Sequence, residues 1–279
     1  MTDMSAPVVT RSDPVVSNHL PRGAALGDAA VVARRNVLHL LRTPQLLVFS
    51  VVQAVMFLLL FRYVFGGSIQ IPGLSFTDYL IPGYLAQLAI FDGFGVSIFF
   101  AEDSQSGLID RFRALPMARS AVVAGRAIAD LARQAVLLGI LTLVAVGVGF
   151  GFHGSLGNIL LAYLLALVWG TALFWVFAAI GLLVRDSQTA QAASTPFFIL
   201  VFVSSSVIRP ATLPGWLQPF ARNQPLSQVV DAMRGLMQGS AGSRLVEHAT
   251  SHYVWTSLAW CAGITLVFAP LAIWAYRRP

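Results

Sequence analysis

Residues 154–184 read GSLGNILLAYLLALVWGTALFWVFAAIGLLV and contain no charged side chain. A helix needs about 20 predominantly apolar residues to cross a hydrocarbon core of roughly 30 Å. Within that core each backbone N–H and C=O group has to be bonded inside the segment, which favours an α-helix. This stretch therefore predicts a transmembrane helix, and the rest of the fold follows from it.

Similar uncharged runs cover residues 45–61, 134–152 and 187–208. Hydrophobic residues make up 57% of the 279 positions and charged residues 11%, whereas a soluble domain carries about 25% charged residues. We therefore predict an all-α polytopic membrane protein. Its six transmembrane helices are placed near 46–65, 79–100, 128–150, 159–184, 189–208 and 254–276.

The arginines set the predicted orientation. All 18 basic residues are arginine. With both termini cytoplasmic, 11 arginines beside the spans lie inside and 5 lie outside, as the positive-inside rule requires. The prediction is a multi-pass protein of the cell membrane. The net charge of +6 is explained by this topology, so we expect membrane lipids and no nucleic acid as partners.

The N-terminal part divides in two. Residues 1–23 are polar and proline-rich, which predicts a disordered cytoplasmic tail. Residues 24–43 have apolar side chains at helical spacing, with Arg35 and Arg42 on the other face. This pattern is typical of an amphipathic interfacial helix, although the segment could also be the cytoplasmic end of the first span. Pro44 favours a break, with the six-span domain occupying 44–279.

The connection between spans five and six, residues 209–253, is too long for a simple loop. It contains two segments that look like short helical pieces, 213–217 and 226–236, interrupted by prolines that include Pro214 and Pro225. Irregular backbone at membrane depth is tolerated only where protein or water satisfies its polar groups. We therefore predict a re-entrant helical hairpin from the outer face, with Trp216 at the membrane interface.

The link between spans two and three carries a short helical pattern. Leu108, Phe112 and Leu115 fall on one stripe, and Pro116 closes the segment. Such a ridge could contact a partner on the inner surface, and the alternative is an ordinary connecting loop.

Three strings together resemble a known family. They are Arg35-Asn36 followed by Arg42 and Pro44; the stretch from Asp103 to Arg119 with its Gly-Leu, Phe and Leu-Pro positions; and Leu-Pro-Gly-Trp-Leu-Gln-Pro-Phe at 213–220, followed by Asn-Gln-Pro-Leu-Ser and Ala-Met-Arg-Gly-Leu. In this order, with six spans, the sequence resembles the membrane subunit (permease) of ABC-2 class ATP-binding-cassette exporters, in particular the daunorubicin/doxorubicin-resistance branch. It departs from many relatives at Ser104-Gln105-Ser106, where they carry further charges.

The resemblance implies a mechanism. Two permeases, either two copies or two relatives, would form a dimer, and a separate ATP-binding subunit would dock under each. The cytoplasmic coupling helix would contain Gly107, Leu108, Arg111, Phe112, Leu115 and Pro116. The interfacial helix would brace it, and the hairpin, with Pro214, Trp216, Pro225 and Arg234, would shape the outer exit. The exported cargo would be amphipathic drugs or lipid-like molecules.

Two residue counts exclude some chemistry. A P-loop needs a Gly-Lys-Ser/Thr string to hold nucleotide phosphates, and these 279 residues contain no lysine. We therefore expect no cofactor on this chain, with ATP and Mg on the partner subunit, and no catalytic site. The single cysteine, Cys261, excludes an intrachain disulfide, and the spacing of His248 and His252 does not follow the zinc-protease order, so we expect no metal.

Asp92 lies in the middle of span two, where an ionised carboxylate is costly unless it is paired or hydrated. Two interpretations stay open: a residue facing the substrate path, where it would meet a cationic drug, or a packing residue beside Gly93 and Gly95. Asp130 with Arg126 and Arg133 has the spacing of a structural ion pair on span three.

Two other functions are alternatives to the exporter. A secondary transporter would use Asp92 as its proton carrier, but such carriers often have internal repeats, and no such repeat is present. An intramembrane enzyme would need a nucleophile and a base at a recognisable spacing, which Ser204, Ser205, Ser206, His248 and His252 lack.

Overall fold

The computed structural model describes residues 44–66, 71, 73–106, 119–206 and 210–277. The predicted tail 1–23, the interfacial helix 24–43 and the coupling helix near 107–116 lie outside these residues. In the described part the regular structure is helical, apart from one isolated bridge between Ile71 and Leu74.

The α-helices follow one another along the chain as α1 (Pro44–Leu60), α2 (Phe76–Gln105), α3 (Arg119–Gly147), α4 (Leu156–Val184), α5 (Ser187–Ser194), α6 (Phe197–Phe202), α7 (Gln218–Asn223), α8 (Pro225–Ser243) and α9 (Thr250–Arg277). A π-helical turn, Phe61–Phe65, continues α1, and a 3-10 turn covers Pro210–Thr212.

Within the described residues, four helices are long and apolar enough to cross a membrane: Phe76–Gln105, Val123–Gly147, Leu156–Val184 and Thr250–Tyr276. A shorter apolar stretch, Val48–Val64, lies in α1 and its π-helical extension. The prediction of an all-α polytopic membrane protein is confirmed, because the described regular structure is helical and four of its helices are long and apolar enough to cross a membrane.

The fifth predicted span, 189–208, is not a continuous helix. The structure divides it into α5 and α6 with a break at Thr195–Pro196. Pro196 has no N–H to continue the α-helical ladder, and the N–H groups of Phe198 and Ile199 instead bond three residues back, at 2.9 and 3.1 Å. The fifth predicted span is therefore wrong as a single helix, because its uncharged run contains this proline.

Helix α4 lies at the centre of the bundle and packs against α2, α3, α8 and α9. Two glycines permit its close approach to α2. A Cβ atom added to Gly181 would collide with the backbone oxygen of Ser97, and one added to Gly93 would collide with the ring of Phe177. The indole of Trp169 on α4 also donates a 3.1 Å hydrogen bond to the carbonyl of Ala86 on α2.

A two-residue turn joins α4 to α5 at the Gln105 end of the bundle. Arg185 ends α4 in the left-handed conformation, with a φ of 59°. Asp186 caps α5, because its carboxylate accepts hydrogen bonds from the Thr189 N–H at 2.7 Å and hydroxyl at 2.5 Å. Gln105, the last residue of α2, donates to the same carboxylate at 2.9 Å. This turn therefore ties three helix ends together.

The hairpin region differs from its prediction in one half. Residues 213–217 form turns instead of a helix, with the Leu217 N–H bonded to the Pro214 carbonyl at 2.8 Å, because Pro214-Gly215 favours a turn. The helical piece is α7, which begins at Gln218. The second predicted piece is part of α8, which is longer than expected and kinks at Gly239, where φ is 58°.

The loop between α3 and α4 is held against α8. The N–H groups of His153 and Gly154 bond to the Met237 carbonyl at 3.0 and 2.9 Å. The Gln238 amide donates to the Gly151 carbonyl at 3.0 Å. These contacts place the hairpin and this loop at the end of the bundle opposite to Gln105, which we call the Tyr79 end.

Helix α9 carries exposed tryptophans near both ends. Trp255 and Trp274 are 72% and 45% exposed, and their positions, 19 residues apart, are separated by about 28 Å along a helix. That distance matches the thickness of a hydrocarbon core, and tryptophan is enriched at both membrane interfaces. The exposed leucine and valine side chains between them, such as Leu266 and Val267, fit a lipid-facing helix.

Candidate functional site

Asp92 is paired across two helices. Its carboxylate on α2 forms an ion pair with the guanidinium of Arg133 on α3. The same guanidinium nitrogen lies 2.8 Å from the carboxylate of Asp130, three residues earlier on α3. The predicted ion pair of Asp130 and Arg133 is therefore present, and the partner of Asp92 belongs to a different helix.

A second contact joins the same two helices. The guanidinium of Arg126 stacks 3.7 Å from the centre of the Phe99 ring, in the geometry of a cation–π interaction. We call Asp92, Phe99, Arg126, Asp130 and Arg133 the arginine ladder. Its two aspartates and two arginines carry no net charge, which reduces the cost of placing them within the membrane.

The side of α2 that carries Asp92 is closely packed. The space beside its carboxylate is lined by Gly93, Gln134, Gly170 and Phe174, and it has no room for a water molecule. The side chain of Asp92 is only 12% exposed. This geometry favours the packing interpretation of Asp92, and its contact with cargo stays a prediction.

Aromatic side chains group on the other side of α2. A phenylalanine cluster joins α2 to α4 and to the break between α5 and α6; its members are Phe91, Phe94, Phe177, Phe197, Phe198 and Phe202. Phe94 stacks in parallel on Phe198, with centroids 5.8 Å apart and an angle of 4° between the ring planes. Phe91 meets Phe198 edge to face at 5.4 Å.

Part of this cluster is open to the outside of the chain. Phe91 is 37% exposed, Phe198 39% and Phe202 63%. The chain breaks at Pro196. Beyond this break, Phe198 of α6 packs on Phe91 and Phe94 of α2. Exposed aromatic rings at membrane depth provide flat apolar surface for a planar or amphipathic molecule. The sequence alone does not predict this surface, although Phe91 with Phe94 and Phe198 with Phe202 have same-face helical spacing.

The predicted hairpin residue Arg234 lies at the centre of a buried network at the Tyr79 end. Only 1% of the residue is exposed. Its guanidinium donates to Asp231 at 2.8 Å, to the Ser205 carbonyl at 2.8 Å and to the Tyr79 carbonyl at 3.3 Å. It also stacks on the Tyr79 ring at 3.8 Å. Arg234 therefore fixes α8 to the start of α2 and to the turn after α6.

A pocket of about 560 Å³, including the space at its mouth, opens beside this network. Its polar lining includes Tyr79, Arg222, Asp231, Arg234 and Glu247. Both arginines are paired, Arg234 with Asp231 and Arg222 with Glu247. The charges of these lining residues balance, so the pocket has no excess charge that would select an ionic ligand.

The other residues predicted for the hairpin, and the two histidines, lie in the following places. Trp216 is 80% exposed, as expected of an interfacial residue, and Pro214 lies in the preceding turn. Pro225 is the first residue of α8. The described residues contain no group of three or more histidine, cysteine, aspartate or glutamate side chains that could hold a metal ion, and the rings of His248 and His252 contact each other at 4.7 Å.

Ser204, Ser205 and Ser206, the candidate nucleophiles, form a buried hydrogen-bond network. The hydroxyls of Ser204 and Ser206 lie 2.5 Å apart, and the amide of Gln87 on α2 donates to Ser206. Ser205 donates to the carboxylate of Asp231 at 2.9 Å. No histidine takes part in these bonds, so the serines join the turn after α6 to α2 and α8.

Residues 29–237 match the ABC-2 type transporter family. The chain therefore belongs to this family, and with its multi-pass helical fold it is a membrane permease subunit of an ABC transporter.

Three similar curated proteins are also named as ABC transporter permeases. The chain is 30% identical over 239 residues to the daunorubicin resistance ABC transporter permease protein DrrB1 of Streptomyces coeruleorubidus, a match that covers 84% of this chain and 81% of that protein. It is 29% identical over 185 residues to the probable doxorubicin resistance ABC transporter permease protein DrrC of Mycobacterium tuberculosis, covering 66% of this chain and 63% of that one. The Mycobacterium tuberculosis permease DrrB is 27% identical, covering 61% and 60%.

Proposed function

We propose that this chain is the membrane subunit of an ATP-driven exporter that moves amphipathic drugs or lipid-like molecules out across the cell membrane. Its relatives are named for resistance to daunorubicin and doxorubicin, and these names support drugs as cargo. The structural observation that carries the proposal is the half-exposed phenylalanine cluster at the break between α5 and α6.

A separate ATP-binding subunit supplies the energy in this proposal. The 279 residues contain no lysine and thus no P-loop, so ATP and Mg are held by the partner. The segment around Leu108 and Phe112 is the proposed contact with that partner, and a second permease copy or a related permease completes the assembly.

We also propose the finer membrane topology. Six spans, with α5 and α6 together forming a broken fifth one, leave both termini and the Gln105 end cytoplasmic. The arginine distribution in the sequence and the two tryptophan positions of α9 support this arrangement. The hairpin of α7 and α8 then lies at the outer end, where it shapes the exit, and residues 24–43 brace the inner surface.

The phenylalanine cluster is tested by transport. The complex with its ATP-binding subunit is reconstituted in vesicles, and ATP-dependent daunorubicin transport is measured for Phe198→Ala and for Phe91→Ala. If the rings contact cargo, KM rises about fivefold or more in each variant, while ATP hydrolysis without drug is retained. Phe49→Ala is the matched control, because Phe49 is 74% exposed on α1, away from the cluster, and its KM should not change. Equal effects of all three substitutions would refute the proposed surface.

A proton-coupled carrier that uses Asp92 is the second candidate. The structure disfavours it, because Asp92 is held by Arg133 in a closely packed space instead of facing a water-filled path. Transport that persists without ATP and stops when the proton gradient is dissipated would favour the carrier.

A further inference from the structure

The two contacts of the arginine ladder have matching spacing. Asp92 and Phe99 are seven residues apart on α2, and Arg126 and Arg133 are seven apart on α3. Seven residues are about two helical turns, so each pair lies on one face of its helix. Because α2 and α3 run in opposite directions, Asp92 meets Arg133 and Phe99 meets Arg126 as two rungs about 10 Å apart along the helix axes.

These rungs connect helices that pack little against each other. Both α2 and α3 pack mainly on α4, and direct approaches between them are few. The long arginine side chains reach across the remaining gap. On the α4 side, Gly170 lies against the amide of Gln134, the neighbour of Arg133, so α4 closes the space behind the rung of Asp92 and Arg133.

The ladder joins the two helices on either side of the connection 106–118, so it determines how those helices respond to a force on that connection. Helix α2 ends at Gln105 and α3 begins at Arg119, so the ladder joins the helix that enters the proposed contact with the ATP-binding subunit to the helix that leaves it. A force on that connection would separate two independent helices, whereas helices joined by two rungs would move together.

We propose that the arginine ladder makes α2 and α3 a single lever that carries the movement of the ATP-binding subunit into the membrane, with Asp92 and Arg133 as its positioning residues. This inference rests on the proposed function, in which that subunit engages the connection between the two helices. Asp92 then acts through Arg133 and not through contact with cargo.

The first test measures ATP hydrolysis and daunorubicin transport in the same vesicles. In Asp92→Asn, Arg133 keeps Asp130 as a partner, so the chain should fold. We expect ATP hydrolysis within twofold of the wild type and at least tenfold less drug moved per ATP. The conservative variant Asp92→Glu keeps the negative charge opposite Arg133 and should keep the ratio within threefold of the wild type.

Phe49→Ala is the control outside the ladder. The Phe49 side chain is 74% exposed on α1. Its drug-to-ATP ratio should equal that of the wild type.

The second test needs no transport. Spin labels are placed on cysteines at Gly95 of α2, where an added side chain meets open space, and at Ile128 of α3, which is 48% exposed, with Cys261→Ala as background. The distance distribution between the labels should be narrow in the wild type and in Asp92→Glu, and at least twice as wide in Asp92→Asn.

The outcomes of the two tests distinguish a failure of the proposed function from a failure of the lever. A wild-type complex without ATP-dependent transport refutes the proposed function, and the label distances then decide the ladder alone. Proportional loss of ATP hydrolysis and transport in Asp92→Asn, or unchanged label distances, would overturn the lever. Loss of transport for a cationic drug but not for a neutral one would instead place Asp92 in contact with cargo, and would overturn it too.

Discussion

Arg234 donates a hydrogen bond of 2.8 Å to the backbone carbonyl of Ser205, although 29 residues separate the two in sequence. The hydroxyl of Tyr79 bonds to the same carbonyl at 3.1 Å. A buried turn leaves carbonyl oxygens that cannot bond within a helix, and each unsatisfied one is costly. The guanidinium satisfies these acceptors while Asp231 balances its charge, so this network holds the hairpin at the end of the bundle.

Replacing Arg234 with glutamine should destabilise the protein by about 3–5 kcal/mol, because Asp231 is left as a buried, unpaired charge. The change is measured as the unfolding midpoint of the purified protein in mild detergent. The double variant Arg234→Gln with Asp231→Asn removes both charges and should recover at least part of the loss.

The control for this prediction is Arg222→Gln. The side chain of Arg222 is 37% exposed and that of its partner Glu247 is 60% exposed. Exposed ion pairs contribute about 0–1 kcal/mol to the free energy of unfolding. A similar loss in the two arginine variants would contradict the role assigned to Arg234.

A second prediction concerns close helix packing. Gly181→Ala should destabilise the protein by about 1–3 kcal/mol, the usual cost of overpacking, because the new Cβ would collide with the Ser97 carbonyl of α2. Gly139→Ala on α3 is the matched control, since its Cβ would meet nothing within 4 Å and alanine is the better helix former. Unfolding midpoints of both variants in detergent decide the matter; a loss of equal size in Gly139→Ala would exclude close packing as the cause.

Most of the helices could be predicted from the sequence because membrane-spanning segments obey a strong local rule. An uncharged apolar run such as 154–184 has to bond its own backbone, so length and composition suffice. The prediction of a continuous fifth span was wrong because Pro196 lies in an apolar run yet interrupts the helical hydrogen bonds. The turn at 213–217 failed for a similar reason, because apolar residues surround Pro214-Gly215.

Contacts between helices could be predicted only when both residues share one helix. The spacing of Asp130 and Arg133 indicated their pairing, since residues three apart meet on a helix surface. The pairing of Asp92 with Arg133 depends on how α2 and α3 are placed side by side, which a single sequence does not specify. The phenylalanine cluster was missed for the same reason, because its rings come from α2, α4 and α6.

A third prediction uses the turn between α4 and α5. Hydrogen bonds from the hydroxyl and the backbone N–H of Thr189 hold the pKa of the Asp186 carboxyl below its usual value. A depressed folded-state pKa means that the stabilisation is present above the unfolded pKa of about 3.9 and is lost as the pH falls through the lower folded value. Asp186→Asn should therefore unfold at a slightly lower temperature than the wild type at pH 7.

The pH dependence separates charge from capping. Asparagine also caps helices well, so the difference between Asp186→Asn and the wild type should shrink as the pH falls below the unfolded pKa of about 3.9 and vanish below the lower folded pKa. Unfolding midpoints of both proteins are compared across this range. A difference that stays constant down to the lowest pH would show that the carboxylate charge is not responsible.

The last prediction concerns the break that brings α6 to α2. In Pro196→Ala the new N–H can donate to the carbonyl of Ala192, four residues back, as an α-helix requires, and α5 and α6 should join into one helix. Amide hydrogen exchange at residues 197–199 should then slow by about tenfold or more. Because Phe198 would turn away from Phe94, the KM for daunorubicin transport should rise as it does in Phe198→Ala.

Pro225→Ala is the control for Pro196→Ala. Pro225 begins α8, a position where the missing N–H has no helical partner in any case, so neither exchange nor transport should change. If Pro196→Ala joined the helices without changing KM, the phenylalanine cluster would not depend on the break. The surface proposed for cargo would then have to lie on α2 alone.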